Sequence, residues 1–310
     1  MKISKPKFWQ KKNSILSFFL LPVSIVLQIL ILVKNKFKKK EKFSIPVICV
    51  GNIYLGGTGK TPLSIELAEI LKLSNKKIAI IKKNYKSHED EFRLIESKKI
   101  KLYKNSSRAV AVKEAIIDKF DCVILDDGFQ DLSIIKDLNI ICFNGEQLAG
   151  NELTIPSGPL REPLMSVKNS QIVVINGKTN EVFENKIKEV SNNIDIFYSE
   201  YLPVNLNQFT NQKLLSFAGI GNPSSFFNLL EKNNLKVEKK LPFPDHYNYS
   251  IKELNELVDY SIKNNLKIVT TEKDYFRIKD YKIPEIQYLC VKLVIKDKIK
   301  FEKKLKQCLF

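Results

Sequence analysis

Six residues early in the chain, Gly56-Gly57-Thr58-Gly59-Lys60-Thr61, have the types and order needed to hold a polyphosphate. Glycines let successive backbone N–H groups turn toward phosphate oxygens, a lysine reaches the β and γ oxygens, and a threonine hydroxyl suits Mg2+. Residues 47–52 read as a buried strand before the loop, and Leu63, Leu67, Ile70 and Leu71 follow it at helical spacing. Strand, glycine loop and helix therefore stand in P-loop order. The strict motif has a glycine five positions before Gly59; this chain has Tyr54 there, so the loop is a variant. Further on, Cys122-Val123-Ile124-Leu125-Asp126-Asp127 is an apolar strand ending in two carboxylates, as needed to keep a metal beside the phosphates. Gly56, Gly57, Thr58, Gly59, Lys60 and Thr61 are the expected ATP cradle, and Thr61, Asp126 and Asp127 are expected Mg2+ ligands. Two acids at a strand end can also serve solubility alone.

These groups act only if a framework positions them. After residue 43, short apolar runs alternate with helical patterns, the signature of an α/β fold with a parallel sheet. Strands are expected at 47–50, 78–81, 122–125, 140–143, 172–175, 214–218, 268–271 and 288–294. A helix is expected at 223–233, opened by Pro223 after Asn222. Ser250 and Glu253 form a capping box ahead of the apolar face Ile251, Leu254, Leu257, Val258 and Ile262. Residues 149–163, with three prolines and two glycines, interrupt the alternation, and 176–206 is polar and weakly patterned. These features divide the chain into a basic, apolar N-terminal helix (1–43), a P-loop domain (44–175) and a smaller α/β domain (176–310).

Of 310 residues, 44% are hydrophobic and 27% charged, which excludes a disordered tail or a repeat fibre. The net charge of +17 raises nucleic acid or an anionic membrane as partners. Residues 1–43, however, hold eleven lysines against one glutamate and so carry +10 of it. A nucleic-acid surface needs its basic face on the folded domain, so that class is set aside. Between those lysines, residues 15–33 form a 19-residue uncharged run, which as a helix rising about 1.5 Å per residue roughly matches a bilayer core. Ser14, Ser17, Ser24 and Gln28 fall on one stripe of that helix and Pro22 interrupts it, which fits a helix lying in the membrane interface as well as one that spans; a helix docked in the soluble core is the third reading. Five cysteines without a CxxC pair read as reduced thiols, and two histidines exclude a multi-histidine metal site.

Beyond the P-loop, the chain resembles the tetraacyldisaccharide 4′-kinases of lipid A biosynthesis. The resemblance rests on Phe8-Trp9, Gly56–Pro62 (GGTGKTP), Asp126-Asp127-Gly128-Phe129-Gln130, Pro156-Ser157-Gly158-Pro159-Leu160-Arg161-Glu162-Pro163, Phe217-Ala218-Gly219-Ile220-Gly221-Asn222-Pro223, Phe243-Pro244-Asp245-His246 and Thr270-Thr271-Glu272-Lys273-Asp274, in family order. It implies a P-loop α/β domain joined to a smaller α/β domain, and transfer of the γ-phosphate of ATP, with Mg2+, to the 4′-hydroxyl of a tetraacylated glucosamine disaccharide 1-phosphate. The implied location is the cytoplasmic face of the inner membrane, reached through the N-terminal helix. By the same resemblance Asp90 and His246 act together as the base beside Lys60, Arg161 binds substrate and Glu162 braces the metal; Arg108, which opens the helix running through Val110, Ala115 and Ile116, either binds an acceptor phosphate or serves the surface. Asp90 and His246 fall in different sequence domains, which makes domain closure a condition for assembling the base. The chain departs from the family where a Ser-Arg-Gly-Tyr-Gly stretch appears as Lys82-Lys83-Asn84-Tyr85-Lys86 and Gly-Asp-Glu-Pro as Glu89-Asp90-Glu91-Phe92, and where Asp131 and Tyr247 stand in place of histidines. His88 matches no motif and reads as an exposed loop residue. The rival reading is a membrane-associated P-loop ATPase of the switch or partitioning type, whose loop generally opens on a lysine where this chain has Leu55.

Overall fold

The computed structural model describes residues 6–36, 38–85 and 88–309. Its strands in chain order are β1 (Val47–Gly51), β2 (Ile78–Lys83), β3 (Lys101–Asn105), β4 (Cys122–Asp126), β5 (Leu138–Asn144), β6 (Ile172–Asn176), β7 (Asp195–Pro203), β8 (Lys213–Ala218), β9 (Lys236–Pro242), β10 (Lys267–Thr271), β11 (Ile286–Leu289) and β12 (Val291–Ile295). The helices are α1 (Ile15–Lys36), α2 (Lys60–Lys72), α3 (Glu89–Ser97), α4 (Arg108–Ile117), α5 (Glu181–Val190), α6 (Pro223–Lys232), α7 (Ile251–Lys263), α8 (Glu272–Ile278) and α9 (Lys298–Leu309). One sheet runs β12-β7-β6-β5-β1-β4-β2-β3, the other β11-β10-β8-β9. Central strands such as β1 and β4 are buried along their whole length, which is why they read as unbroken apolar runs rather than alternating ones.

The chain forms two compact units. The smaller comprises Tyr85–Lys99 and Tyr201–Leu293; the rest of the described chain forms the larger. In the smaller unit the four-stranded sheet is parallel throughout, with apolar clusters built on Leu214, Phe227, Leu230 and Val269, and on Leu215, Phe217, Tyr249 and Leu254. The capping box at Ser250 is formed as the sequence indicates, opening α7. This division differs from the sequence boundary at 175/176 in two respects. Strand β7 extends the large sheet through its parallel pairing with β6, and the stretch carrying α3 leaves the larger unit after β2 and returns to it at β3. The polar stretch 176–206 thus contains α5 and β7, and the run expected at 288–294 breaks at Cys290 into β11 and β12.

Helix α1 belongs to the larger unit and is apolar on its outside. Its segment Ile15–Asn35 is long and apolar enough to cross a membrane, and only 11% of that window is buried. Phe18, Phe19 and Leu32 are largely exposed, whereas Ser17 and Ser24 are 2% and 1% exposed. The polar stripe seen in the sequence therefore faces protein, not a membrane interface. Ser24 Oγ lies 2.9 Å from the Thr154 carbonyl and 2.8 Å from Ser157 Oγ, and accepts the Ser157 N–H at 3.0 Å. Asn151 Nδ2 donates to Ser17 Oγ (3.0 Å) and Gln28 Nε2 to the Arg161 carbonyl (3.2 Å). The physical reason is that the proline- and glycine-rich loop at 149–163 forms only isolated bridges, so a backbone group such as the Ser157 N–H takes its partner from a serine hydroxyl.

Candidate active site

In the larger unit, β1 delivers the chain into the phosphate loop. Gly56, Gly57 and Gly59 all have positive φ (71°, 67° and 90°), the left-handed region in which a side chain is strained. Asn52 braces the loop, its Nδ2 donating to the Tyr54 carbonyl (2.6 Å) and to Thr58 Oγ1 (2.9 Å). Tyr54, at the position where the strict motif has glycine, is buried and its hydroxyl accepts Gln10 Nε2 at 2.8 Å. The variant residue thus links the loop to the N-terminal segment.

Parallel pairing of β1 with β4 sets Asp126 and Asp127 beside that loop. Thr61 Oγ1 donates to Asp126 Oδ2 at 2.8 Å. Asp127 sits in the left-handed turn after β4 (φ 61°), with Lys60 Nζ at 3.5 Å and Arg161 Nη1 at 3.0 Å from its Oδ1. Burial would raise the Asp127 carboxyl, but the charges of Lys60, Arg161 and Lys82 outweigh it and hold the group well below the usual carboxylate range. Arg161 also donates to Gln130 Oε1 (3.1 Å), and Arg108 donates to the Asp127 carbonyl (2.6 Å) and to Asp131 Oδ2 (3.2 Å). Asp131 is thereby the partner of a buried guanidinium. Glu162, next to Arg161, is half-buried and, among the described residues, has no hydrogen bond or ion pair. Lys82, quoted in the sequence only as a departure, is 3% exposed and donates to Asp126 Oδ2 at 2.6 Å. A lysine at the end of an apolar strand next to an acid-ended strand was the signal available for it.

The smaller unit contains the second cluster. Asp90, in the first turn of α3, is 2% exposed. It pairs with Arg277 Nη2 and lies 3.5 Å from His246 Nδ1, within ion-pair range though not aligned as a hydrogen bond. Burial would raise the Asp90 carboxyl, while His246, Lys273 and Arg277 together bring it well below its ordinary value. The expectation that domain closure assembles this pair is corrected here: Asp90 and His246 belong to one unit. The cause is α3, which packs on α8 and the turn after it through Arg93 to Asp280 (2.7 Å), Lys98 to Glu272 (2.7 Å), Lys273 to Glu91 (2.6 Å) and the Asp90–Arg277 pair. His246 is held with φ 55°, its N–H donating to the Gly219 carbonyl at 3.1 Å. His88 is also corrected, since its ring stacks on His246 with centroids 5.4 Å apart and planes 14° apart. The sequence marked Glu272, Lys273 and Asp274 as a charged cluster closing a strand, with a structural salt bridge as one reading, but did not single out Arg277. Asp274 is fully buried, accepting from Gly219 N, Tyr249 OH and Thr271 Oγ1, and its Oδ1 lies 2.7 Å from Arg277. The i,i+3 spacing of Asp274 and Arg277 on a short helix was the legible hint. Tyr247 bonds Glu253 Oε1 at 2.6 Å, tying the turn that carries His246 to the capping box.

A family model described as tetraacyldisaccharide-1-P 4′-kinase matches residues 16–101 and 90–309. The chain is 44% identical over 312 residues to the tetraacyldisaccharide 4′-kinase of Pelagibacter ubique (strain HTCC1062), covering 98% of both. It is 32% identical over 297 residues to that of Rickettsia canadensis (strain McKiel), covering 90% of both. Among solved structures, LpxK from Aquifex aeolicus in complex with ATP aligns with a TM-score of 0.74 and 26% identity, over 96% of this chain and 100% of that one.

Proposed function

The chain belongs to the tetraacyldisaccharide 4′-kinase family, and from that premise we infer how its residues perform the transfer. It is an ATP-dependent kinase that moves the γ-phosphate of ATP to the 4′-hydroxyl of a tetraacyl disaccharide 1-phosphate in lipid A biosynthesis. The observation that carries the site assignment is the convergence of Lys60 and Arg161 on Asp127 beside a glycine loop in the left-handed conformation. That convergence fixes positive charge where phosphate charge accumulates, and fixed charge supplies most phosphoryl-transfer catalysis. The switch-type ATPase reading has no account of a kinase relationship that extends over nearly the whole chain.

Phosphate oxygens rest on the N–H groups of Gly56–Gly59 and on Lys60. Arg161, oriented by Gln130, keeps Asp127 ionised, and Arg108, whose buried Nε is without a hydrogen-bond partner, retains a donor for an acceptor phosphate. The residues fit Mg2+: Asp126 Oδ1 is a buried oxygen with no hydrogen-bond partner, next to the Thr61 hydroxyl, and hard oxygens are what that ion selects. Thr61, Asp126 and Asp127 would hold it, and when bound it neutralises charge on the β and γ oxygens. In the smaller unit the His246 imidazole takes the proton of the sugar hydroxyl, and the Asp90 carboxylate stabilises the imidazolium that forms. Arg277 and Lys273 keep Asp90 ionised for that purpose. Such a kinase meets a lipid acceptor and cytoplasmic ATP at once, so we place it on the cytoplasmic face of the inner membrane, held there by α1. Incubation with labelled ATP, Mg2+ and detergent-dispersed tetraacyl disaccharide 1-phosphate tests the reading through the appearance of a bisphosphorylated lipid. ATP hydrolysis with no labelled lipid would reject it.

A further inference from the structure

Lys82 stands at the end of β2, beside β4, and parallel register pairs Ile81 with Leu125, which brings the next two residues, Lys82 and Asp126, side by side. Its ammonium is 2.6 Å from Asp126 Oδ2 and 3.3 Å from Thr61 Oγ1, and Thr61 Oγ1 is itself 2.8 Å from the same carboxylate oxygen. Lysine and carboxylate are almost wholly buried, with side chains 3% and 0% exposed. The ammonium therefore lies on the two oxygens, a loop threonine hydroxyl and a strand-end aspartate, that a divalent ion would need beside the phosphate loop. A monovalent and a divalent cation brought together on one carboxylate oxygen repel at short range, and burial strengthens that repulsion. Among the described residues, the ion pairs of this site join four cations, Lys60, Lys82, Arg108 and Arg161, to three carboxylates, Asp126, Asp127 and Asp131, so adding a divalent ion without phosphates adds to the positive charge of these pairs. Phosphate charge reverses that balance.

We propose that Lys82 is a tethered counter-ion of Asp126 that excludes free divalent metal from the Thr61–Asp126 pair until nucleotide supplies negative charge. Metal then enters with the phosphates, and Lys82 withdraws from Asp126 or turns toward them. The residue is a positioning group for the metal, and the inference rests on the nucleotide-site reading above. It also gives a consequence to the lysine that this chain carries where the family pattern has serine.

The test is Mn2+ binding to the nucleotide-free, full-length protein, followed by electron paramagnetic resonance of the free ion, in the unmodified chain and in Lys82→Ser and Lys82→Gln. Glutamine retains a donor to Asp126 without the charge. Both variants should bind Mn2+ at least about tenfold more tightly than the unmodified chain. Equal or weaker affinity in variants whose circular dichroism shows them folded would overturn the proposal. Should neither variant fold, the unmodified chain decides: near-stoichiometric Mn2+ binding without nucleotide overturns the idea, and its absence supports it. Equilibrium dialysis of the unmodified chain against ATP and Mg2+ separates the two levels of inference. Failure to bind ATP removes the nucleotide-site reading itself, whereas normal ATP binding with unchanged Mn2+ affinity in the variants removes only the role of Lys82.

Discussion

Among single residues, positioned charge and the coupling of pairs carry the expectations. Lys60→Ala removes the loop cation that also faces Asp127, and turnover should fall by about 10²-fold or more. Near-normal kcat in that variant would remove Lys60 from the transfer step. Asp90 and His246 act as one device if the first stabilises the charge formed on the second. Each alanine variant should then lose most of kcat while ATP binding survives, and the double variant should be little worse than the poorer single one. Multiplicative losses in steady-state kinetics would show independent roles. Asp90 also links pH to stability. Its carboxyl ionises more readily in the folded chain than in the unfolded one, so its contribution is complete above about pH 4 and is lost as pH falls further. The difference in Tm between the unmodified chain and Asp90→Asn should be constant near neutrality and shrink below about pH 4. A difference that grows in acid would contradict the depressed value.

Elements differ in how plainly the sequence announces them. The central strands were legible because burial on both faces leaves only apolar residues, as in Val47, Ile48, Cys49 and Val50. Strands β3 (KLYKN) and β9 (KVEKKLP) escaped notice because they are sheet edges, where exposed lysines are tolerated and useful against edge-to-edge pairing. Strand β7 was hidden in the stretch 176–206, with half-buried positions along most of its length. Helix α1 was legible as a helix and misleading in orientation, since a polar stripe on an apolar helix conventionally meets water. Here it meets the loop at 149–163. Ser24→Val leaves the Ser157 N–H without the acceptor it has at 3.0 Å and removes the donor facing the Thr154 carbonyl, which should cost about 1–3 kcal/mol. A lower Tm in thermal unfolding, largely restored by Ser24→Thr, is the expected outcome; an unchanged Tm would mean that these bonds are replaced by water at no cost.

For the whole molecule, the exposed apolar face of α1 and its buried polar stripe make two separable demands. Removing residues 1–40 should release the protein from the membrane pellet into the soluble fraction, because the apolar face goes with it. The same deletion strips Trp9, Ser17, Ser24 and Gln28 from the loop that carries Arg161, so the soluble product should also melt at lower temperature. Full pelleting of the truncated protein, with aggregation excluded by gel filtration, would place the membrane contact elsewhere. What the sequence determined by itself was the chemistry of short contiguous stretches: the glycine loop with Lys60 and Thr61, the acids ending β4, the capping box at Ser250 and the alternation that makes an α/β fold. Each of these is specified by neighbours in the chain, through backbone freedom, burial or local hydrogen bonds. Only the tertiary structure decided which distant residues meet. It decided that α3 joins the unit holding His246, that Arg277 and Lys273 neutralise Asp90, that Lys82 lies on Asp126, and that α1 docks by its serines. Those outcomes depend on strand order, register and helix packing, which set contacts between residues that no local pattern relates.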